Sequence, residues 1–206
     1  MVEISPMIIG DLEKHIGQGD QHLIFTGTFD PPHIEHARTV RAAVQQMPSW
    51  ESIVLVPHSW NKRKVPVDIS KRTQWLTETA LKFLPDLASR IGVCNDESVN
   101  NCPERFDELC DIYRARISRV VGKDKMTQKL RDRNQAQVIH ILKDNETGLR
   151  STDIREAIRR GQIDKIRALL ANSVLEDILQ NGCYMAGVWR QAFFHDELIS
   201  FLVKIS

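Results

Sequence analysis

The chain lacks an excess of charge of either sign. Its formal net charge is +1 at pH 7, so no global field draws it to nucleic acid or to an anionic membrane surface. Any anion site must therefore be local. It also lacks long hydrophobic runs: none approaches the roughly 20 apolar residues that cross a bilayer. The opening stretch, MVEISPMIIGDLEKHIGQGD, has neither the basic start nor the continuous apolar segment of a secretory signal. Neither a membrane nor nucleic acid is expected as a partner, and the expected location is cytoplasmic. Cysteine is sparse. Cys94, Cys102, Cys110 and Cys183 form no C-x-x-C pair and no common zinc spacing, which points to buried or incidental thiols in a reducing compartment. There is no internal repeat, no low-complexity segment and no G-x-S-x-G nucleophile elbow.

What remains is an ordinary globular composition. The 206 residues are 42% hydrophobic and 27% charged, enough for one well-buried core. The stretch His22 to Arg38, HLIFTGTFDPPHIEHAR, organises the rest. Leu23-Ile24-Phe25 is short enough to be a buried strand. The turn Thr26-Gly27-Thr28-Phe29-Asp30 and two prolines follow, and from about His33 the apolar positions Ile34, Ala37, Val40, Val44 and Met47 take helical spacing. Strand, glycine turn and helix start together aim backbone N–H groups and a helix dipole at an anion. His33 and His36 fall on one face of the first turn. The layout suggests phosphate handling, although strand–glycine–helix turns that bind nothing are also common. Zinc is a poor reading of the two histidines, because no third ligand stands out and zinc-binding helices usually space ligands i, i+4. No metal ligands are assigned.

The N-terminal pattern admits a short helix from about Met7 to His15, ending near Gly17. From Leu23 onward strand and helix alternate. Ile53 to Val56 is a strand covered on both faces. A helix runs from about Ser70, its N-cap, to Phe83. Ile91 to Cys94 is a weaker strand. A polar loop spans Glu97 to Pro103, and a helix covers Glu104 to Arg114. Ile117 to Val121 and Val138 to Leu142 are further strands, and everything after Ser151 is helical in pattern. Alternation of this kind means an α/β fold with a doubly wound parallel sheet, a helical C-terminal part, and ligands at the carboxyl ends of the strands. One domain over residues 1–206 is expected, with an α/β core at 22–150, C-terminal helices at 151–184 and an apolar tail at 185–206. The tail, with Phe193-Phe194 and Leu198-Ile199-Ser200-Phe201-Leu202-Val203, is too apolar to sit bare in water. It is expected either to pack on the domain or to join copies of the chain into a homo-oligomer.

The string Gly27-Thr28-Phe29-Asp30-Pro31-Pro32-His33-Ile34-Glu35-His36 resembles the signature of the HIGH-motif nucleotidylyltransferases, G-T-F-D-P-x-H-x-G-H. Glu35 departs from it, standing where most members carry glycine. A carboxylate there is unfavourable near phosphates unless it is paired or turned away. Leu149-Arg150-Ser151-Thr152-Asp153-Ile154-Arg155 resembles the second signature, I-S-S-T-x-I-R, with Arg150 replacing the first serine. On its own residues it reads as a helix capped by Ser151 or Thr152, with Arg155 one turn in. Residues 154–162 and 174–184 resemble the closing helices of nicotinate and nicotinamide mononucleotide adenylyltransferases. The resemblance spans residues 22–184 and is weakest over 95–116, where the pyridine pocket is expected. A tryptophan that often follows the G-x-D turn in the family is missing here.

The resemblance implies a Rossmann-like nucleotidylyltransferase fold and adenylyl transfer from ATP to nicotinate or nicotinamide mononucleotide in NAD biosynthesis. It implies Mg²⁺ accompanying ATP. It makes His33, His36, Lys64 and Arg155 the catalytic candidates. Gly27, Thr28, Phe29, Lys62, Arg72, Gly122, Asp124, Ser151 and Thr152 are the nucleotide-binding candidates. Lys62-Arg63-Lys64 alone reads as a solvated basic loop before it reads as a phosphate contact, and whether Lys62 or Lys64 is the phosphate lysine stays open. Gly122-Lys123-Asp124 resembles the G-x-D turn that contacts the adenosine side. Two other readings stay open. One is a superfamily transferase with a different phosphate acceptor, such as phosphopantetheine. The other is a nucleotide-binding module whose turnover Glu35 has abolished.

Overall fold

The structure, a computed structural model, describes residues 8–17, 21–60, 66–122, 137–141 and 148–185. Among these residues six strands form one parallel sheet: β1 (Ile8–Gly10), β2 (His22–Gly27), β3 (Ser52–Pro57), β4 (Ile91–Cys94), β5 (Ile117–Gly122) and β6 (Gln137–Ile141). Their order across the sheet is β1-β4-β3-β2-β5-β6, with Leu23 paired to Ile53 on one side and to Ser118 on the other. The chain winds outward from β2 through β3 and β4, then returns to build β5 and β6 on the other side. This is the doubly wound architecture read from the sequence. Its reversal lies between β2 and β5, and ligands of such sheets bind there, beyond the carboxyl ends of the strands. Gly27 and Gly122 are the last residues of those two strands.

Alternating side chains of β2 feed two cores. Leu23 and Phe25 join Leu55, Val40, Ala43, Leu76 and Ala80 beneath α2 (Ile34–Gln46) and α3 (Ile69–Phe83). Ile24 faces the other way, with Val54, Val56, Leu12, Ile16, Phe106 and Leu109, under α1 (Leu12–Ile16) and α5 (Pro103–Ile112). Burial on both faces is why the strands read as unbroken apolar runs. A third core lies on the outer side of α3. There Trp75 meets Ile154 and Ile158 of α6 (Ser151–Arg159), and Val174, Leu175 and Ile178 of α7 (Asn172–Gln180). Asp177 joins α7 to α3, accepting from Trp75 Nε1 at 2.8 Å and pairing with Lys71 at 3.0 Å. No described helix is long and apolar enough to cross a membrane.

Three sequence expectations change. Met7 to His15 is not one helix: Ile8 and Ile9 pair with Gly92 and Val93 as an edge strand, and α1 follows. The polar stretch expected as a loop contains α4 (Glu97–Asn101), whose start is capped by Asp96 accepting from Ser98 N at 2.9 Å. α5 then begins at Pro103, which suits a first helical position. The cap of α3 is Asp68, accepting from Ser70 N at 2.8 Å, and Ser70 is inside the helix. The C-terminal tail beyond residue 185 lies outside the described residues.

Besides the β1–β4 pairing and the burial of Leu12 and Ile16, one close approach seats the N-terminal unit. The His15 ring lies so near Gly92 that a Cβ there would sit 2.6 Å from two of its atoms. Burial holds this imidazole below its ordinary value of 6.5, against the opposing hydrogen bond with the Val93 backbone. Gly92→Ala is expected to cost about 1–3 kcal/mol in urea denaturation, and unchanged stability would contradict the packing. A lowered folded-state value means the unfolded chain takes the proton first as pH falls. Wild type should therefore lose stability relative to His15→Phe as pH drops from about 6.5 to 5. Parallel pH profiles would refute that.

Candidate active site

The end of β2 is shaped by one side chain folding back. Phe29 adopts φ +47°, a left-handed conformation uncommon away from glycine, and its ring returns over Gly27. A Cβ on Gly27 would lie 2.9 Å from that ring, so only glycine leaves room there. The ring then meets Phe25 edge-on at 5.3 Å and His36 at 4.9 Å. The Asp30–Pro31 bond is cis, and the chain enters α2 with His33 at the N-cap.

The two imidazoles touch, with ring centres 3.9 Å apart. His33 N donates to His36 Nδ1 at 3.1 Å. Because Nδ1 accepts, the neutral His36 ring carries its proton on Nε2, making that atom a donor suited to a phosphate oxygen. His33 is almost wholly buried and His36 is half-buried. Glu35 pairs with Arg38 at 2.5 Å, which compensates the carboxylate locally. A small apolar cavity behind His36, lined by Phe25, Phe29, Val40 and Leu76 among others, belongs to the core between α2, α3 and the sheet. Its lining is no place for a phosphate.

The second signature lands on the first. Ser151 Oγ donates to the Pro31 carbonyl at 3.0 Å, and Arg155 donates to the Asp30 carbonyl while its Nη1 lies 3.5 Å from the Asp30 carboxylate. Thr152 Oγ1 accepts from Arg155 Nη2 at 3.2 Å. Neither Ser151 nor Thr152 caps α6. Arg150 holds the N-cap, and Asp153 reaches back to its N–H at 2.8 Å. Ser151 is the first residue of the helix, where its hydroxyl meets the neighbouring Pro31 carbonyl instead.

Of the two described cation candidates, Arg155 keeps 14% of its side chain accessible, whereas Arg72 is fully buried. Its Nε donates to Val67 O at 2.6 Å, Nη1 to Thr28 O at 2.5 Å and to His58 O at 3.0 Å, and Nη2 to Ser59 Oγ at 2.6 Å. It thus ties the turn after β2 to the segment after β3. Burial lowers its pKa, while the nearby Asp30 and Asp68 carboxylates act the other way. Asp30, 3% exposed, is the hub that the sequence reading leaves unassigned. Its Oδ1 accepts from Val67 N at 3.2 Å and from Tyr184 Oη at 2.5 Å. The Asp-Pro-Pro turn signalled only a change of backbone direction, and Tyr184 only the end of the last helix.

His33, His36, Gly27, Thr28, Phe29, Ser151, Thr152 and Arg155 therefore gather around the Phe29–Pro32 turn, with Arg72 beneath it. Gly122 ends β5, beside β2. Lys62, Lys64 and Asp124 lie outside the described residues. Among the described residues no group of three His, Cys, Asp or Glu could hold a metal ion. The one carboxylate at this turn is already committed to Arg155, Tyr184 and Val67. Among the described residues the donor set at this turn fits phosphate oxygens rather than a Mg²⁺ ion. Arg72→Lys is expected to cost about 2–4 kcal/mol in chemical denaturation, since one ammonium cannot reach three carbonyls and a hydroxyl. A change within about 0.5 kcal/mol would show that those bonds do not organise the turn.

Comparison with known proteins bears on the family and the fold. The cytidylyltransferase-like family profile matches residues 24–157. A putative nicotinate-nucleotide adenylyltransferase from Vibrio parahaemolyticus superposes with a TM-score of 0.56 at 21% identity, covering 81% of this chain and 96% of that one. The Plasmodium falciparum nicotinic acid mononucleotide adenylyltransferase, complexed with NaAD, superposes with a TM-score of 0.61 at 14% identity, covering 81% and 98%. Its complex with APC gives 0.59 at the same identity and coverage. No curated protein sequence matches significantly. At these identities the structural likeness speaks for the fold, while the profile spans both signatures from β2 into α6. The chain belongs to the cytidylyltransferase-like family and is a nucleotidyltransferase, with its histidine signature at residues 27–36.

Proposed function

We propose that this nucleotidyltransferase moves the adenylyl group of ATP onto the 5′-phosphate of nicotinate or nicotinamide mononucleotide, releasing pyrophosphate, as a step of NAD biosynthesis. The observation that carries the reading is the docking of α6 on the Asp30–Pro31 turn, which holds the Arg155 guanidinium on the Asp30 carbonyl, in the turn that leads into the histidine pair. The likeness to nicotinate-nucleotide adenylyltransferases at TM-scores of 0.56 to 0.61 supports the choice of acceptor. The whole chain, residues 1–206, acts as one domain, in a reducing compartment such as the cytoplasm.

Both reactants are anions, so their approach is repulsive and the transition state concentrates negative charge. A phosphate oxygen of the mononucleotide attacks the α-phosphorus of ATP, the bond to the bridging α–β oxygen breaks, and pyrophosphate leaves with that electron pair. No covalent protein intermediate is required; the protein supplies positioning and fixed positive potential. His36 Nε2 and the His33 ring donate to phosphate oxygens at the start of α2, where the helix dipole adds to them. Arg155 holds triphosphate oxygens, together with Lys64 or Lys62. The Gly27-Thr28-Phe29 turn lets backbone approach the nucleotide, Ser151 and Thr152 line the start of α6, and Gly122 and Asp124 form the turn on the adenosine side. Arg72 acts from below, by fixing the Thr28 carbonyl and hence the turn. Magnesium carried by ATP would neutralise part of the triphosphate charge. The Glu35–Arg38 pair, which compensates the carboxylate locally, supports turnover over a module that only binds nucleotide.

Purified protein given ATP with each pyridine mononucleotide should release pyrophosphate and form the dinucleotide with at least one of them. Release with phosphopantetheine alone would move the assignment to another branch of the family. ATP binding with no release from any acceptor would make the chain a nucleotide-binding module. His36→Ala is expected to lower kcat by about 100-fold or more, with its melting temperature within about 4 °C of wild type. A wild-type kcat would remove His36 from the mechanism.

A further inference from the structure

We infer that Tyr184 is a positioning residue for Arg155: by pinning one oxygen of Asp30, it keeps that carboxylate from closing on the guanidinium, so that Arg155 stays available to the triphosphate. The inference rests on the proposed role of Arg155 in holding phosphate oxygens.

Tyr184 follows α7 in an unusual backbone. After Asn181 the chain turns through Gly182 at φ +60° and Tyr184 at φ +67°, with Cys183 N returning to Ile178 O at 2.9 Å. Glycine suits the first of these positions, whereas a tyrosine at the second is strained. The turn delivers the phenol into the protein, its ring centre 6.4 Å from that of Trp75 and its hydroxyl 2.5 Å from Asp30 Oδ1. Burial, followed by the Asp30 charge, pushes the phenol pKa up, so the hydroxyl is a donor at any physiological pH.

Asp30 Oδ1 therefore takes two donors, Tyr184 Oη and Val67 N. With Oδ1 held by those two donors, Asp30 meets Arg155 through Oδ2, at a long 3.5 Å from Nη1. A two-bond carboxylate–guanidinium fork, the strongest geometry for such a pair, is excluded. Arg155 is instead located by the Asp30 carbonyl and by Thr152 Oγ1. It stays only loosely neutralised, with 14% of its side chain accessible. Without the hydroxyl, the carboxylate can rotate onto Arg155 and compete with phosphate for it. Both residues lie far from the histidine signature in sequence, yet Tyr184 touches that signature directly.

Titration calorimetry with MgATP on wild type, Tyr184→Phe, Arg155→Ala and the double variant tests this. Tyr184→Phe should raise Kd about three- to tenfold, and the double variant should equal Arg155→Ala alone, because the tyrosine acts only through the arginine. A wild-type Kd for Tyr184→Phe overturns the inference, as does an additive double variant or an Arg155→Ala protein that binds MgATP normally. Should Tyr184→Phe fold poorly, the chain's two tyrosines allow a test by 3-fluorotyrosine NMR without touching Tyr184. MgATP should shift the Tyr184 resonance and leave that of Tyr113, assigned through Tyr113→Phe, in place; a stationary Tyr184 resonance at saturation overturns the inference. If pyridine mononucleotides fail as acceptors while this binding pattern holds, the proposed reaction falls and the inference stands.

Discussion

A single buried carboxylate lies in the field of two guanidiniums, and the site depends on that arrangement. Asp30 comes from the turn after β2, Arg72 from α3 and Arg155 from α6, so three separately folded elements meet through one charge cluster. A lone buried ion would be costly. Here Asp30 is compensated by Arg155 and by two neutral donors, while Arg72 spends its N–H groups on carbonyls and a hydroxyl. Among its buried members two cations face one anion, the second carboxylate in range of Arg72, Asp68, lying exposed at the start of α3; the proposed function seats an anionic substrate above them. The potential is thus built into the scaffold, in a chain whose formal charge is only +1.

The topology makes that cluster useful. β2 lies where the winding of the sheet reverses, and its carboxyl end carries the turn that holds Asp30. α2 starts from this turn and α6 docks on it, so two helix N-termini converge on one stretch of backbone. Both helix starts carry an acidic residue, Glu35 and Asp153, and each is paired with an arginine of its own helix start, Arg38 or Arg150. Those local pairs keep the carboxylates from cancelling the dipoles that favour phosphate.

Much of this was legible in the sequence, and what was not has a physical reason. Leu23-Ile24-Phe25 and Ile53 to Val56 read as strands because both faces of the sheet are covered, and α2 and α3 show in their helical spacing. The doubly wound class followed from the alternation of elements. β1 escaped because three residues at a sheet edge gain strand character only from their partner, β4. α4 escaped because its single turn is polar and is set by the Asp96 cap. Arg72 read as a phosphate contact, yet its partners are carbonyls of segments that only the folded chain brings together. Ser151 or Thr152 read as a cap for the same reason: the Ser151 hydroxyl meets a carbonyl supplied from the other signature, and Thr152 meets Arg155. Asp30 and Tyr184 carried no spacing signal, since their meeting depends on how α7 docks.

The central claim is that one turn gathers the imidazoles of the first signature and the guanidinium of the second around the reacting phosphates. A crystal structure of the protein with a non-hydrolysable ATP analogue measures this most directly. Phosphate oxygens are expected within about 3.2 Å of both His36 Nε2 and the Arg155 guanidinium. A fully occupied triphosphate bound elsewhere, with neither group within about 6 Å of a phosphate oxygen, would contradict it.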